Sequence, residues 1–461
     1  MQRKSGFVLK FGGSIIPDGK GFYDAARYTV QLARSHKPVA VVSAPKGITN
    51  LLTNSYRSHD KNLVLILWKR YTTIISGISD NYIRKDAFEQ IEDALSRLNN
   101  PMSYDRFVSQ GEDHSGIILT HFLKLLGHKS KYMDGYNVGI VTDSRGVVKE
   151  RLSISNVREN LDGYVGQNSG TIPVVGGFVG RDLSTDKYRL LGRNSTDVTG
   201  AIVAAATHSR YEIVKDVPGI YFVEPEFGKS GVIPLLSYDE AEELTWRGIE
   251  AVHPIAVRIA DNHDIPIHVK SLYLDTSTVI SRKSMSTRKR PVVGISARRF
   301  HLLTINDELM NTPEGRGYFS NLTRILSNYG VDIYDVATSA NVISITIRPQ
   351  DSTIENKKIE TLLAKCLEEH GYKPNVKGKR IGAISMVGDA LKDNTEIISR
   401  LTEVFRRNAI RILMMSKGDS QNIIFGIDEK YLRAVVNLLC KEQTIGIRSQ
   451  VATRAKKIGS S

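Results

Sequence analysis

The stretch Phe7-Val8-Leu9-Lys10-Phe11-Gly12-Gly13-Ser14 is a short apolar run that breaks at two glycines and a serine, with a lysine just ahead of the break. It reads as a buried strand running into a loop. Glycines at a strand end let the backbone approach a phosphate closely, so that its N–H groups can donate to it. A following helix adds its positive end, and a neighbouring lysine can neutralise developing negative charge. Taken alone, the same residues describe a tight turn beside an exposed lysine.

The pattern continues outward. A helical stretch follows at roughly 22–35, then the apolar strand Val39-Ala40-Val41-Val42-Ser43, closed by Ala44-Pro45-Lys46-Gly47. A long helical region is expected over about 49–98. Thr171-Ile172-Pro173-Val174-Val175 and Tyr211-Glu212-Ile213-Val214 are further strands, each closed by a glycine- or proline-containing loop. Apolar strands alternating with helices predict an α/β domain with a largely parallel sheet, whose ligands bind beyond the carboxyl ends of the strands. Ser237 to Glu240 reads as a capping box, Pro254 suits a first helical turn, and Ile265 to Val269 looks like a closing strand. From about residue 292 the rhythm changes to βαββα, twice over. Strands are expected at 292–296, 302–305, 332–336 and 342–347 and again at 381–387, 412–415 and 422–425, with helices at 317–327, 356–370, 394–408 and 430–441.

Bulk properties narrow the function classes. The chain has 461 residues, 41% hydrophobic and 24% charged, with two cysteines and a net charge of +14. No apolar run approaches the ~18 residues of a membrane span. Two cysteines support neither a disulfide framework nor a thiolate metal cluster. The short apolar start is not a signal peptide, and a cytoplasmic location is expected. The densest basic stretch, Ser281 to Arg290, contains no aromatic residue to stack on bases; neither does the cluster Arg454, Lys456 and Lys457. Nucleic-acid binding is therefore not expected. Positive charge suits anionic nucleotides and substrates instead.

Further motifs lie at the expected strand ends. Ser109-Gln110-Gly111-Glu112 precedes a helix, where an acid is also simply a favourable first-turn residue. Val174 to Gly180 runs from strand to glycine-rich loop. Leu191-Gly192-Arg193-Asn194-Ser195-Thr196-Asp197 precedes an Ala-rich helix; Thr196 or Asp197 could cap it, and Arg193 suits a bidentate carboxylate contact. Lys215-Asp216-Val217-Pro218-Gly219-Ile220-Tyr221 turns sharply after a strand. Gly228-Lys229-Ser230 imitates the tail of a P-loop, but Val223 stands where the first glycine would be.

In order and spacing these motifs resemble the aspartate kinase family. The resemblance runs through Lys10–Ser14, Val41–Ala44, Gly47-Ile48-Thr49, Gly111-Glu112, Gly177–Gly180, Leu191–Asp197, Asp216–Tyr221, Leu236–Ala241 and His253-Pro254. It implies a three-layer amino-acid kinase domain over 1–280 and a basic linker at 281–291. Two ferredoxin-like ACT regulatory domains would follow, at 292–375 and 376–452, the second either after the first or interleaved with it, with a basic tail at 453–461. It implies transfer of the γ-phosphoryl group of ATP, with Mg²⁺, to the side-chain carboxylate of L-aspartate, the first step toward lysine, threonine and methionine. Lys10 and Asp197 would be catalytic, and Thr49, Glu112 and Arg193 would bind aspartate. Lys10, Gly12, Gly13, Ser14, Lys215, Asp216 and Tyr221 would hold ATP, with no protein metal ligand. Met310, Gly317, Tyr318, Ser339 and Asn422 would form regulatory contacts, with lysine or threonine as inhibitor, in a homodimer or larger assembly joined through the ACT domains.

The chain also departs from the family pattern. Asn194-Ser195 replace a glycine pair, Lys215 replaces a hydroxyl residue, and Glu226 and Glu250 stand where cations are usual. Ala340 stands where an acid commonly follows Ser339. These changes leave two competing expectations: a related amino-acid kinase with another substrate, or a degenerate kinase serving as an amino-acid-sensing regulatory subunit.

Overall fold

Phe7, Leu9 and Phe11 are buried against one helical layer, and Val8 and Lys10 point to the opposite face of the same strand, as the two-residue period of a pleated strand requires. The structure, a computed structural model, describes residues 6–58, 62–165, 170–192, 194–249, 251–288, 290–348, 356–394, 396–417 and 421–441. They divide into two compact units. One holds the chain up to Ile220 together with 232–245 and 250–283; the other holds 221–231, 246–249 and the chain from 284 onward.

The first unit is built on an eight-stranded sheet. Its strands are β1 (Gly6–Phe11), β2 (Lys37–Val42), β3 (Lys129–Met133), β5 (Thr171–Gly176), β8 (Arg210–Val214), β9 (Leu235–Ser237), β10 (Ile267–Lys270) and β11 (Ser277–Ser281). The small strands β4 (Val141–Thr142), β6 (Val179–Asp182) and β7 (Tyr188–Leu190) form a separate three-stranded sheet. The main order is β3-β5-β2-β1-β8-β10-β11-β9, parallel from β3 through β10 and antiparallel only between β10 and β11. Helices Gly19–Ala33 and Gln110–Leu125 cover the Leu9 face, and Thr196–Thr207, Glu150–Val165 and Pro254–Asn262 pack together on the other side. The result is the three-layer α/β domain expected.

The helical region expected over 49–98 is three helices, Ile48–Ser58, Leu63–Ile75 and Asn81–Ser96. Gly77 separates the last two by packing against Gly19, where a Cβ on either residue would crowd Ile74 O, and Asp80 restarts the chain by capping the Ile83 N–H at 2.9 Å. The capping box forms as expected, with Glu240 N–H donating to Ser237 Oγ (3.1 Å) and Ser237 N–H to Glu240 Oε2 (2.9 Å).

The second unit has one six-stranded antiparallel sheet made from β12 (Gly294–Asn306), β13 (Ile333–Thr338), β14 (Val342–Ile347), β15 (Asn375–Val387), β16 (Ile412–Ser416) and β17 (Asn422–Asp428), in the order β13-β14-β12-β15-β17-β16. The expected strands 292–296 and 302–305 are one 13-residue strand. It pairs with β15 along its whole length, Gly294 opposite Val387 and Asn306 opposite Asn375. Ala297-Arg298-Arg299 interrupts the apolar pattern of β12, but ladder hydrogen bonds carry the strand through. Two cores flank this shared pair. One lies around Leu303, Leu322, Ile345 and Leu363, the other around Ile384, Phe405, Phe425 and Val435. The chain between 221 and 231 joins this unit because Val223 and Phe227 are buried in the second core and Val223 bridges to Ile295. Burying each such side chain contributes about 1.5–3 kcal/mol.

Candidate active site

The pleat that turns Lys10 away from the Leu9 core aims it at the first turn of the helix Thr196–Thr207. Its Nζ lies 2.7 Å from Asp197 Oδ1, with both side chains under a tenth exposed. Asp197 Oδ2 accepts the His253 N–H at 3.0 Å, so the residue opening the helix Pro254–Asn262 completes the carboxylate's shell. Burial alone would raise the Asp197 carboxyl, but the charges of Lys10 and Lys215 and these hydrogen bonds outweigh it and hold the group below the usual carboxylate range. Lys215 follows β8, the strand beside β1, and its own N–H donates to Lys270 O at 2.8 Å.

Close backbone approach brings the loops at these strand ends together. Lys46 N–H donates to Gly13 O (3.0 Å), and a Cβ on Gly13 would lie 2.3 Å from Ala44 O. A Cβ on Gly111 would lie 2.7 Å from the Ala44 methyl, and one on Gly177 would collide with Thr196. None of these three glycine positions admits a larger side chain without moving a neighbour. Gly12 is buried, Gly13 and Ser14 are partly exposed, and Thr49 sits half-buried in the first turn of the helix Ile48–Ser58.

Glu112 joins this cluster from the first turn of the helix Gln110–Leu125. It is 2% exposed, and its Oε1 accepts the Ala44 N–H at 3.0 Å. Its Oε2 accepts no hydrogen bond among the described residues. Burial pushes the carboxyl up to about 8, against the pull of the Ala44 N–H. A buried carboxyl with one oxygen unused gains its charge when a cationic group is placed beside it, and so is suited to receive one.

The remaining candidates are placed as follows. Asp216 is exposed at the bend after β8, and Tyr221 belongs to the second unit. Glu226 also belongs there, its carboxylate 3.4 Å from Arg299 and its carbonyl accepting from Arg433 at 2.6 Å. Ser230 Oγ donates to Val223 O and accepts the Val223 N–H, so the P-loop-like stretch closes on itself. Arg193 and Glu250 lie outside the described residues, as do Lys289 and the basic cluster at 454–457. Asn194 has φ +61, a left-handed conformation that Asn tolerates better than most residues, so the replacement of glycine here keeps the turn accessible.

Residues 6–271 match the amino acid kinase family, more than half of the chain. The chain belongs to that family. Residues 384–443 of this kinase match an ACT domain. Among curated proteins it resembles chloroplastic aspartokinase 2 of Arabidopsis thaliana, 26% identical over 94% of this chain and 83% of the relative. Among solved structures it resembles the aspartate kinase of Clostridium acetobutylicum, with a TM-score of 0.77, 22% identity and coverage of 96% and 99% of the two chains. It also resembles E. coli aspartokinase III in complex with aspartate and ADP, with a TM-score of 0.74, 23% identity and coverage of 94% and 98%.

A polar cluster next to Glu112 escaped the sequence reading. Arg106 Nη1 lies 2.6 Å from Asp113 Oδ2 and 3.7 Å from Asp134 Oδ2, and its guanidinium covers the Tyr188 ring at 4.3 Å. Tyr132 donates to Asp113 Oδ1 at 2.5 Å and Tyr188 to Asp134 Oδ2 at 2.9 Å. These residues come from separate elements and share no motif; only the neighbouring acids Glu112-Asp113, both in an otherwise buried helix, hinted at a partner.

In the second unit, a cavity of about 670 Å³ is lined by Met310, Gly317, Tyr318 and Ser339, with Arg316, Phe319 and Thr338 among its other walls. Four of the five regulatory candidates are therefore neighbours. Asn422 is buried at the start of β17, away from that lining.

Proposed function

We propose that this protein is an aspartate kinase, transferring the γ-phosphoryl group of ATP to the side-chain carboxylate of L-aspartate. The observation that carries the reading is Glu112, a buried carboxylate with a free oxygen, set against the same loops that surround the Lys10–Asp197 pair. The named relatives match over nearly the whole chain.

The acceptor carboxylate, with a pKa near ~4, is already ionised at neutral pH, so no strong base is needed. The obstacles are repulsion between two anions and alignment, and the residues answer both. Lys10, oriented by Asp197, bridges the transferring phosphoryl group. Gly12, Gly13 and Ser14 are assigned to the phosphate oxygens; the Gly12 N–H itself donates to Val214 O. Glu112 takes the α-ammonium and Thr49 adds a substrate contact; Arg193, outside the described residues, is assigned to the α-carboxylate. Lys215 and Asp216 are assigned to the nucleotide. Among the described residues no three His, Cys, Asp or Glu side chains are grouped to hold a metal. Mg²⁺ would be held chiefly by phosphate oxygens and water, offsetting their charge.

We assign the 670 Å³ cavity to an amino-acid effector. Arg316 is its charged lining residue and no acid lines it among the described residues, which favours a ligand bearing a carboxylate. The exposed edge residues Val336 of β13 and Met415 of β16 support pairing of this sheet with a second copy of the chain. A hydroxamate assay with ATP and a panel of amino acids tests the main reading. Acyl-phosphate formation with aspartate is expected, and a protein that forms it with none of them, or only with another acid, refutes it. Running the same assay with added lysine or threonine tests the effector.

A further inference from the structure

Glu112 and Asp113 are consecutive, both buried, and both in the first turn of one helix. Successive helical side chains diverge by about 100°, so they cannot face the same neighbours. Asp113 is drawn to Arg106 and Tyr132, on the side of β3 and β5; Glu112 is left to Ala44 and an unused oxygen. The backbone of Arg106 is tied to the same turn, since its carbonyl accepts from Ser109 Oγ (2.9 Å) and from Gln110 Nε2 (3.3 Å). Tyr132 is itself fixed in a notch, because a Cβ on Gly116 or on Gly176 would overlap it. The guanidinium is therefore the central member of a partly buried tether running from the short helix Tyr104–Val108 to the helix that carries Glu112.

We propose that Arg106 is a positioning residue for Glu112: by holding Asp113 it sets the rotation of the first helical turn, so that the free oxygen of Glu112 stays available to a cationic group of the substrate. The proposal rests on the assignment of Glu112 to the substrate ammonium. Among the described residues the Arg106 side chain meets Asp113, Asp134 and Tyr188, so its influence is on binding geometry and not on the phosphoryl group. Loss of the tether weakens ground state and transition state alike, which raises KM and spares kcat.

The test compares Arg106→Met with the double variant Arg106→Met/Asp113→Asn in the full chain. The double variant leaves Asp113 uncharged and so loses less stability than the single variant, while Asp134 keeps its bond from Tyr188 in both. KM for aspartate should rise about tenfold in both, with kcat within about twofold, because both remove one tether. Amide exchange at Ala44, whose N–H bonds Glu112, reads the same geometry without substrate, and should quicken about tenfold in both variants while amides of the second unit stay unchanged. Unaltered Ala44 exchange overturns the proposal, whatever the substrate proves to be. So does a fall in kcat at constant KM. If Ala44 exchange quickens but the protein turns over no aspartate, the tether stands and the aspartate kinase reading fails.

Discussion

Two sets of ion pairs in this molecule use the same chemical groups to opposite ends. In the first unit, Lys10 and Asp197 meet at 2.7 Å with almost no solvent access, and a single backbone N–H completes the arrangement. In the second, Arg299 reaches Glu226 and Glu429, Arg380 reaches Glu429, and Lys379 reaches Asp428 at 3.0–3.4 Å, with every cation more than half exposed. Water screens the second set, and its members replace one another readily. The first set is dry, so each member is costly to leave alone and well placed to act on a ligand that enters. The lesson is that charge density on the sequence says little about charge at work. The pairs richest in cations are the ones that matter least.

The largest expected effect breaks the buried pair. Lys10→Ala should lower aspartate-dependent ATP turnover by about 10²–10³-fold. It should also destabilise the first unit by about 3–5 kcal/mol, seen in denaturant unfolding, because Asp197 would lose its main partner. Turnover near the normal rate in this variant would remove Lys10 from the mechanism.

Next comes Glu112, a buried acid that forms no ion pair among the described residues. Its carboxyl sits at about 8 when folded against an ordinary 4.5. A raised folded value means that its stabilising contribution is complete below about 4.5 and is lost as pH climbs through about 8. Glu112→Gln removes that dependence. The gap in melting temperature between wild type and variant should therefore shift in the variant's favour by several degrees from pH 4.5 to pH 8. A gap independent of pH would show that the group titrates normally.

A smaller effect is expected at the half-buried pair of the second unit. Arg298 forks onto both oxygens of Glu224, the Nη2–Oε1 contact being 2.6 Å. Glu224→Gln should cost about 1–3 kcal/mol of that unit's stability. The smallest effect closes the series: Arg299→Ala, at an exposed pair, should change stability by less than about 1 kcal/mol and lose even that at high salt. An Arg299 effect as large as that of Glu224 would erase the distinction.

Much of the first unit was legible in the chain. Leu9 and Phe11 announce a buried strand, and Gly13 announces a close approach that the structure uses at 2.3 Å from where a Cβ would stand. The capping box at Ser237 and Glu240 formed as written, because both partners lie within one turn. Legibility fell where the deciding partner is distant in sequence. Asp197 could have been a mere helix cap; the pleat of β1, 187 residues away, makes it the partner of Lys10.

The sequence by itself determined the alternation of strands and helices, the glycine-lined strand ends and the family to which they belong, because apolar periodicity and turn residues act locally. Only the tertiary structure decided that β12 and β15 are single 13-residue strands. Arg298-Arg299 reads as a break in β12, and Lys377 to Arg380 lie ahead of the strand expected at 381–387; the ladder between the two strands carries both through. Only the tertiary structure, likewise, sent Val223 and Phe227 into the second unit's core and gave Asp113 a guanidinium while leaving Glu112 an oxygen to spare. In each case the cause is a neighbour that folding brings close, and no local pattern records it.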